Sequence, residues 1–246
     1  MILLFSDFGY EGPYVGQMKL ALAGLDHSGP VIDLMHDAPV FDAKASAYLL
    51  ASLLSEIPEN TVLLGVVDPG VGSQRRPLAL QADGRWYVGP DNGLFELVMR
   101  RARDLAVYEI IWRPERLSSS FHGRDLFAPL AAQLSRGDLS GLRPLDRNSV
   151  SHPDWPDDWE AVIYLDRFGN AVTGIRAACL DQGIGLEIEG RRLPRFSTFS
   201  EAEHHQIFCY ENSTGLMEIA MNQGNATQFL KIRLGMPVVK IPSDSP

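Results

Sequence analysis

The chain has 246 residues, 45% of them hydrophobic and 22% charged, which is enough apolar material for one large globular domain or two ordinary ones. Its 31 acids against 22 bases leave a formal charge of −9 with no basic stripe, which argues against nucleic acid as a partner and permits a cationic ligand. The two cysteines, Cys179 and Cys209, offer neither a disulfide framework nor a zinc spacing. No apolar run approaches the ~20 residues of a membrane span. The opening MILLFSDFG is also too short and lacks the basic start of a signal peptide. The expectation is a cytoplasmic protein that does not engage a membrane.

In chain order, Ile2–Phe5 reads as a short buried strand that stops at Ser6-Asp7-Phe8-Gly9, and Val15–Leu25 has helical spacing. Val31–Met35 reads as a second strand, followed by His36-Asp37. Ala43–Glu56 reads as a helix entered through Asp42 as its cap. Val62–Val67 is a continuous apolar run of the fully buried kind. Leu78–Gln81 and Trp86–Val88 suggest a hairpin about Asp83-Gly84, and Leu94–Arg101 and Phe127–Leu134 suggest helices. This alternation predicts an α/β domain over residues 1–145 with a mainly parallel sheet.

The texture changes in RPLDRNSVSHPDWPDDW, where three prolines and many turn formers mark a linker over residues 146–158. Short alternating segments follow at Ala161–Leu165, Ala171–Ile175, Leu186–Ile188, Gln206–Tyr210, Leu216–Met221, Phe229–Ile232 and Val238–Ile241. They predict a smaller antiparallel β domain, barrel or sandwich, over 159–246.

Asp7 and Asp68 both stand where a buried strand ends. In open α/β sheets the ligand crevice lies outside the carboxyl ends of the strands, so the two acids either face one cleft or merely cap their turns. Gly70-Val71-Gly72 is neither a Walker loop nor GxGxxG, and its glycines fit positive backbone angles or a close backbone approach. His122, in FHGRD, is a lone histidine before a helix, either packed or catalytic. His36, His204 and His205, with Asp37 or Glu203, lack any metal-ligand spacing. The turns at Gly89–Gly93, Asp166–Asn170 and Glu211–Gly215 carry ordinary turn residues.

Together and in this order, SDFGYEGPYVGQMK, VVDPGVGSQRR, VGPDNGLF, FHGRDLFAP, DRFGNAVT and ENSTGLMEIAMNQGNA resemble the S-adenosylmethionine hydroxide adenosyltransferases, relatives of the bacterial fluorinase and chlorinase. The likeness runs over nearly the whole chain. It implies an α/β domain followed by a β-barrel, in a homotrimer whose site lies between the N-domain of one subunit and the C-domain of the next. It also implies hydrolysis of S-adenosylmethionine to adenosine and L-methionine, with no metal and no cofactor.

By the same resemblance Asp68, Arg75 and His122 surround the attacking water. Bulk water has a pKa of ~15.7, so a site must hold and polarise one molecule behind the C–S bond. Arg75 cannot be a base and is expected to stabilise hydroxide-like charge, with His122 or Asp68 accepting the proton. Asp7 maps to the acid that binds the ribose hydroxyls, Asp166 and Ser213 to positions holding the methionine amine and carboxylate, and Asn170 to an adenine contact. Phe168 and Phe199 are candidate walls around the base, and Met221 and Gln223 candidate backbone contacts to its edge. Gly12, Thr173-Gly174 and Thr214 depart from the family pattern. A halogenase, a non-catalytic adenosine or S-adenosylmethionine sensor, and a metal hydrolase are the rival readings. The short turn after Asp68, with both Arg75 and His122 present, favours hydrolysis over halogenation.

Overall fold

The computed structural model describes residues 1–25, 27, 29–181 and 183–242. The chain divides into two compact units, Met1–Pro153 and Asp154–Pro246. The first unit runs β1 (Ile2–Ser6), α1 (Tyr14–Ala23), β2 (Val31–Met35), α2 (Ala43–Ser52), β3 (Val62–Val66), β4 (Pro77–Ala82) and β5 (Arg85–Pro90). It continues through α3 (Glu96–Arg101), β6 (Leu105–Ile110), α4 (Ala128–Ser135) and β7 (Leu142–Pro144). The seven strands form one sheet in the order β2-β1-β3-β5-β4-β6-β7.

The sheet is mixed, which corrects the expectation of a mainly parallel one. Pairs β2–β1, β1–β3 and β3–β5 are parallel, while β5–β4, β4–β6 and β6–β7 are antiparallel. The reason is local. The Asp83-Gly84 turn is too short for a crossover, so β4 must fold back antiparallel on β5. β6 and β7, unassigned in the sequence, extend that antiparallel half.

The strands alternate between two helical layers. Ile2 and Leu4 of β1 and Val62 and Leu64 of β3 pack with Met18 and Leu22 of α1 and Leu130 of α4. Leu3, Phe5 and Leu63 turn the other way, toward Leu50 of α2 and Val98 and Met99 of α3. Asp42 caps α2 by accepting from the Ala45 amide at 2.9 Å, as its place in the sequence suggests. α2 ends at Ser52, and a 3₁₀ turn at Leu54–Glu56 finishes the longer helix read from the sequence.

The second unit contains β8 (Trp159–Leu165), β9 (Ala171–Arg176), β10 (Ile184–Ile188), β11 (Arg191–Leu193), β12 (Ile207–Glu211), β13 (Leu216–Met221), α5 (Ala226–Leu230) and β14 (Val239–Pro242). These strands make two antiparallel sheets, β12-β13-β9-β8 and β11-β10-β14. Both feed one core, which joins Val162, Ile175 and Ile219 to Leu186, Ile188 and Val238. Phe229–Ile232, read as a strand, is instead the last two residues of α5 and the turn that follows. Asn225 starts this helix by accepting from the Gln228 amide at 2.7 Å, and Lys231, at φ +54°, stops it. Among the described residues, no helix is long and apolar enough to cross a membrane.

Candidate active site

β1 lies between β2 and β3, so the chain leaves it toward one side for β2 and returns on the other for β3. That reversal opens a crevice at the carboxyl ends of β1 and β3. Ser6 pairs with Val66 across these strands, which places Asp7 and Asp68 just past the same sheet edge. Both acids line a cleft of about 330 Å³, together with His122, Phe8, Tyr14 and Phe121. Phe8, Tyr14 and Phe121 meet one another with ring centroids 5.6–5.7 Å apart and form an aromatic wall. Asp7 accepts from the Phe41 amide at 3.0 Å. Burial raises its pKa against the pull of that amide, and the Asp68 carboxylate adds to the rise.

The strand that ends at Asp68 and the turn after it bring Arg75 back onto the acid. Arg75 Nε donates to Asp68 Oδ1 at 2.8 Å, and its Nη2 donates to Asp68 Oδ2. The same Nη2 donates to His122 Nδ1 at 2.9 Å, and the guanidinium lies 5.2 Å over the Phe127 ring. The pair is well shielded, with side chains only 9% and 5% exposed. A guanidinium has no acceptor, so His122 Nδ1 must be the accepting nitrogen and the neutral ring carries its proton on Nε2. Burial, and then the Arg75 charge, hold the His122 pKa below its ordinary 6.5.

Arg75 does not line the cleft. It faces a second hollow of about 300 Å³ that it shares with Arg113, Glu109 and the other side of His122. His122 is held by the π-helical turn Gly123–Phe127 that it precedes. Within that turn Asp125 accepts from the Ser118 amide at 2.9 Å and pairs with Arg124. Gly72 joins the two loops. Its φ is +78°, and a Cβ there would stand 2.5 Å from the Ser119 carbonyl oxygen, so only glycine fits. Gly12 has a φ of +93°, a conformation that any residue with a side chain would strain to adopt.

The second unit has its own cavity, of about 960 Å³. All seven residues singled out from the sequence there line it: Asp166, Phe168, Asn170, Phe199, Ser213, Met221 and Gln223. Asp166 organises the turn. Its Oδ1 accepts from the Phe168 and Asn170 amides at 2.9 and 2.8 Å, and its Oδ2 accepts from Asn170 Nδ2 at 2.9 Å. Phe168 is 77% exposed, an apolar ring presented outward.

Sequence reasoning passed over Glu218, Tyr210 and Asn212, which line the same cavity. Glu218 accepts from Tyr210 Oη at 2.7 Å and from Asn212 Nδ2 at 2.9 Å. Its pKa is raised by burial, against the opposing pull of Asn212 and Tyr210. An acid inside the otherwise apolar run LMEIAM was the available signal. Among the described residues, no three His, Cys, Asp or Glu side chains gather into a metal-ligand group.

Family models match both parts of the chain: the SAM hydroxide adenosyltransferase N-terminal domain over residues 2–142, and the corresponding C-terminal domain over residues 160–239. An (R)-S-adenosyl-L-methionine hydrolase from Thermus thermophilus is 41% identical, covering 96% of this chain and 98% of its own. A fluorinase from Nocardia brasiliensis is 25% identical, covering 97% and 95%. A conserved protein of known crystal structure from Thermotoga maritima superposes with a TM-score of 0.87 at 26% identity, covering 98% of this chain and all of the other. With both domains matched in order, the chain belongs to the SAM hydroxide adenosyltransferase family.

Proposed function

We propose that the protein hydrolyses S-adenosyl-L-methionine by attack of water at the 5′ carbon, releasing adenosine and L-methionine without a metal or cofactor. The observation that carries this reading is Asp68 and His122 set beside Asp7 in one cleft, both held from behind it by Arg75. Four relatives at 28–41% identity bear the name (R)-S-adenosyl-L-methionine hydrolase, so the epimer we assign to this chain is R at sulfur.

In this reading His122 Nε2–H donates to one lone pair of the water, and Asp68 accepts one of its O–H bonds. The other lone pair is left in line with the 5′ carbon. Holding that geometry is worth ~7–11 kcal/mol of barrier in favourable cases. As the C5′–O bond forms, the C5′–S bond breaks and its electron pair returns to sulfur, which neutralises the sulfonium. The oxonium then loses its proton to Asp68. The Nε2–H tautomer moves the acceptor role away from His122, because the ring's free lone pair already receives Arg75. Arg75 is thus a positioning residue that orients both neighbours.

Asp7 takes the ribose diol, its two oxygens accepting from two adjacent hydroxyls. Asp166 and Ser213 hold the methionine amine and carboxylate, and Asn170 contacts adenine. Phe168 and Phe199 flank the base, and Met221 and Gln223 offer backbone groups to its edge. We place the complete pocket in a homotrimer, between the first unit of one copy and the barrel-like second unit of the next. The exposed rings of Phe41 (74%) and Phe168 (77%) support burial in such an assembly. The two free cysteines fit a reducing cytoplasm.

The test is incubation of each sulfonium epimer in ¹⁸O-water with and without chloride or fluoride. The expected result is adenosine labelled at its 5′ hydroxyl, faster from the R epimer. A halogenated nucleoside as main product would favour the fluorinase-like reading, and binding without methionine release would favour a sensor.

A further inference from the structure

A second hydrogen-bonded chain lies beneath the cleft, and the reaction does not use it. Lys19 on α1 donates to Asp33 Oδ2 at 2.6 Å, and His36 Nε2 meets Asp33 Oδ1 at 3.0 Å. His36 Nδ1 meets Ser6 Oγ at 2.7 Å. A carboxylate only accepts, so His36 Nε2 bears a proton and donates to Asp33, while Nδ1 and the Ser6 hydroxyl bond each other. The order of residues is that of a serine hydrolase, but the access is not. Ser6 and His36 are both 0% exposed, so no substrate carbon can reach the hydroxyl.

What the chain touches is the frame around Asp7. Ser6 ends β1 immediately before Asp7, and His36 directly follows β2. The two loops that leave these strands are stitched together. The Gly9 amide donates to the His36 carbonyl at 2.6 Å, and the Ala38 amide donates to the Ser6 carbonyl at 3.2 Å. The Phe41 amide closes the row on Asp7 itself. Tyr10 covers the ring of His36 edge-on, with centroids 5.5 Å apart. The Ser6–His36–Asp33 link is a side-chain member of this row, and its Ser6–His36 end is buried at the point where Asp7 leaves the sheet.

We propose that Lys19, Asp33, His36 and Ser6 form a positioning device that fixes the Asp7 carboxylate for a vicinal diol, and so sets the protein's preference for ribosides over 2′-deoxyribosides. The inference deepens the proposed function and rests on it through the ribose role of Asp7. His36 is its central member, because among these four side chains it alone bonds both Ser6 at the end of β1 and Asp33 of β2. Its replacement leaves Asp7 chemically intact but free to turn away from the two hydroxyls.

The experiment is calorimetric titration of full-length protein with adenosine and with 2′-deoxyadenosine, each fitted with its own active fraction. The wild type is expected to prefer adenosine. In His36→Leu that preference should shrink by roughly tenfold, the worth of one hydrogen bond to a charged group. Most of the loss should fall on adenosine and little on the deoxy compound. His36→Asn, which can still bond Ser6, should restore part of it. In an Asp7→Ala background, His36→Leu should change nothing further, because the two act as a unit. If His36→Leu does not fold, Ser6→Ala, with the same direction expected, carries the test.

An unchanged preference in a folded His36→Leu or Ser6→Ala protein overturns the proposal, as does additivity with Asp7→Ala. Wild-type protein that binds adenosine without preferring it to the deoxy compound also overturns it. Wild-type protein that binds neither overturns the adenosyl reading beneath it.

Discussion

Replacing Arg75 with Gln removes the group that both Asp68 and His122 depend on. The Arg75 guanidinium makes three hydrogen bonds, two to Asp68 and one to His122, and the Arg75 and Asp68 side chains are only 9% and 5% exposed, so solvent screening of that pair is slight. Breaking a buried pair typically costs about 3–5 kcal/mol, and a Gln amide regains about one neutral hydrogen bond, which leaves a folding cost of ~2–4 kcal/mol. For a chain of this length that corresponds to a fall in melting temperature of ~5–15 °C. Turnover should fall by ~10²-fold, the usual effect of letting the groups that position a reactant shift by about 1 Å. Because Arg75 does not line the cleft, adenosine affinity should stay within roughly twofold, or ~0.4 kcal/mol. Initial rates of adenosine release at saturating substrate, with calorimetry and thermal melts on the same preparation, measure all three. A variant with wild-type turnover and an unshifted melt would refute the network's role.

Three further outcomes are expected. Burial and Arg75 depress the His122 pKa, so turnover should hold as pH falls through 6.5 and decline only below it. The stability that neutral His122 contributes is lost over the same acid window, as protonation sets a positive ring against Arg75, and a pH–rate profile with parallel melts tests both. Asp7→Asn keeps an oxygen for the Phe41 amide and removes one of two like charges. Its melting temperature should hold or rise while calorimetric affinity for adenosine falls about tenfold. Glu218→Gln faces Tyr210 and Asn212, both donors, with an amide that has only one oxygen, so a melt should show a loss of ~1–2 kcal/mol.

Much of this was legible in the sequence because buried parallel strands announce themselves. ILLF and VLLGVV are apolar without interruption, and the acid ending each one marks the crevice. The antiparallel half was harder to read. LAVYEI carries a tyrosine and an acid, and Leu142–Pro144 has only three residues, so neither shows a period long enough to distinguish from loop. Phe229–Ile232 misled because FLKI is a short, mostly apolar run that strand and helix share, although Asn225 upstream held the helix-start signal. The candidate site residues were found through turn motifs and family likeness. The Ser6–His36–Asp33 link was not, since it joins residues thirty positions apart whose pairing depends on β1 lying beside β2.

The glycine wedged under the Ser119 carbonyl has a consequence for how such a site changes over generations. Because the turn carrying the guanidinium and the segment carrying the imidazole touch backbone to backbone, neither can be lengthened or retuned alone. Any change in how the acid, guanidinium and imidazole meet would require remodelling both loops at once. The meeting of these three side chains is thereby conservative in its architecture, inherited as one piece or lost as one piece.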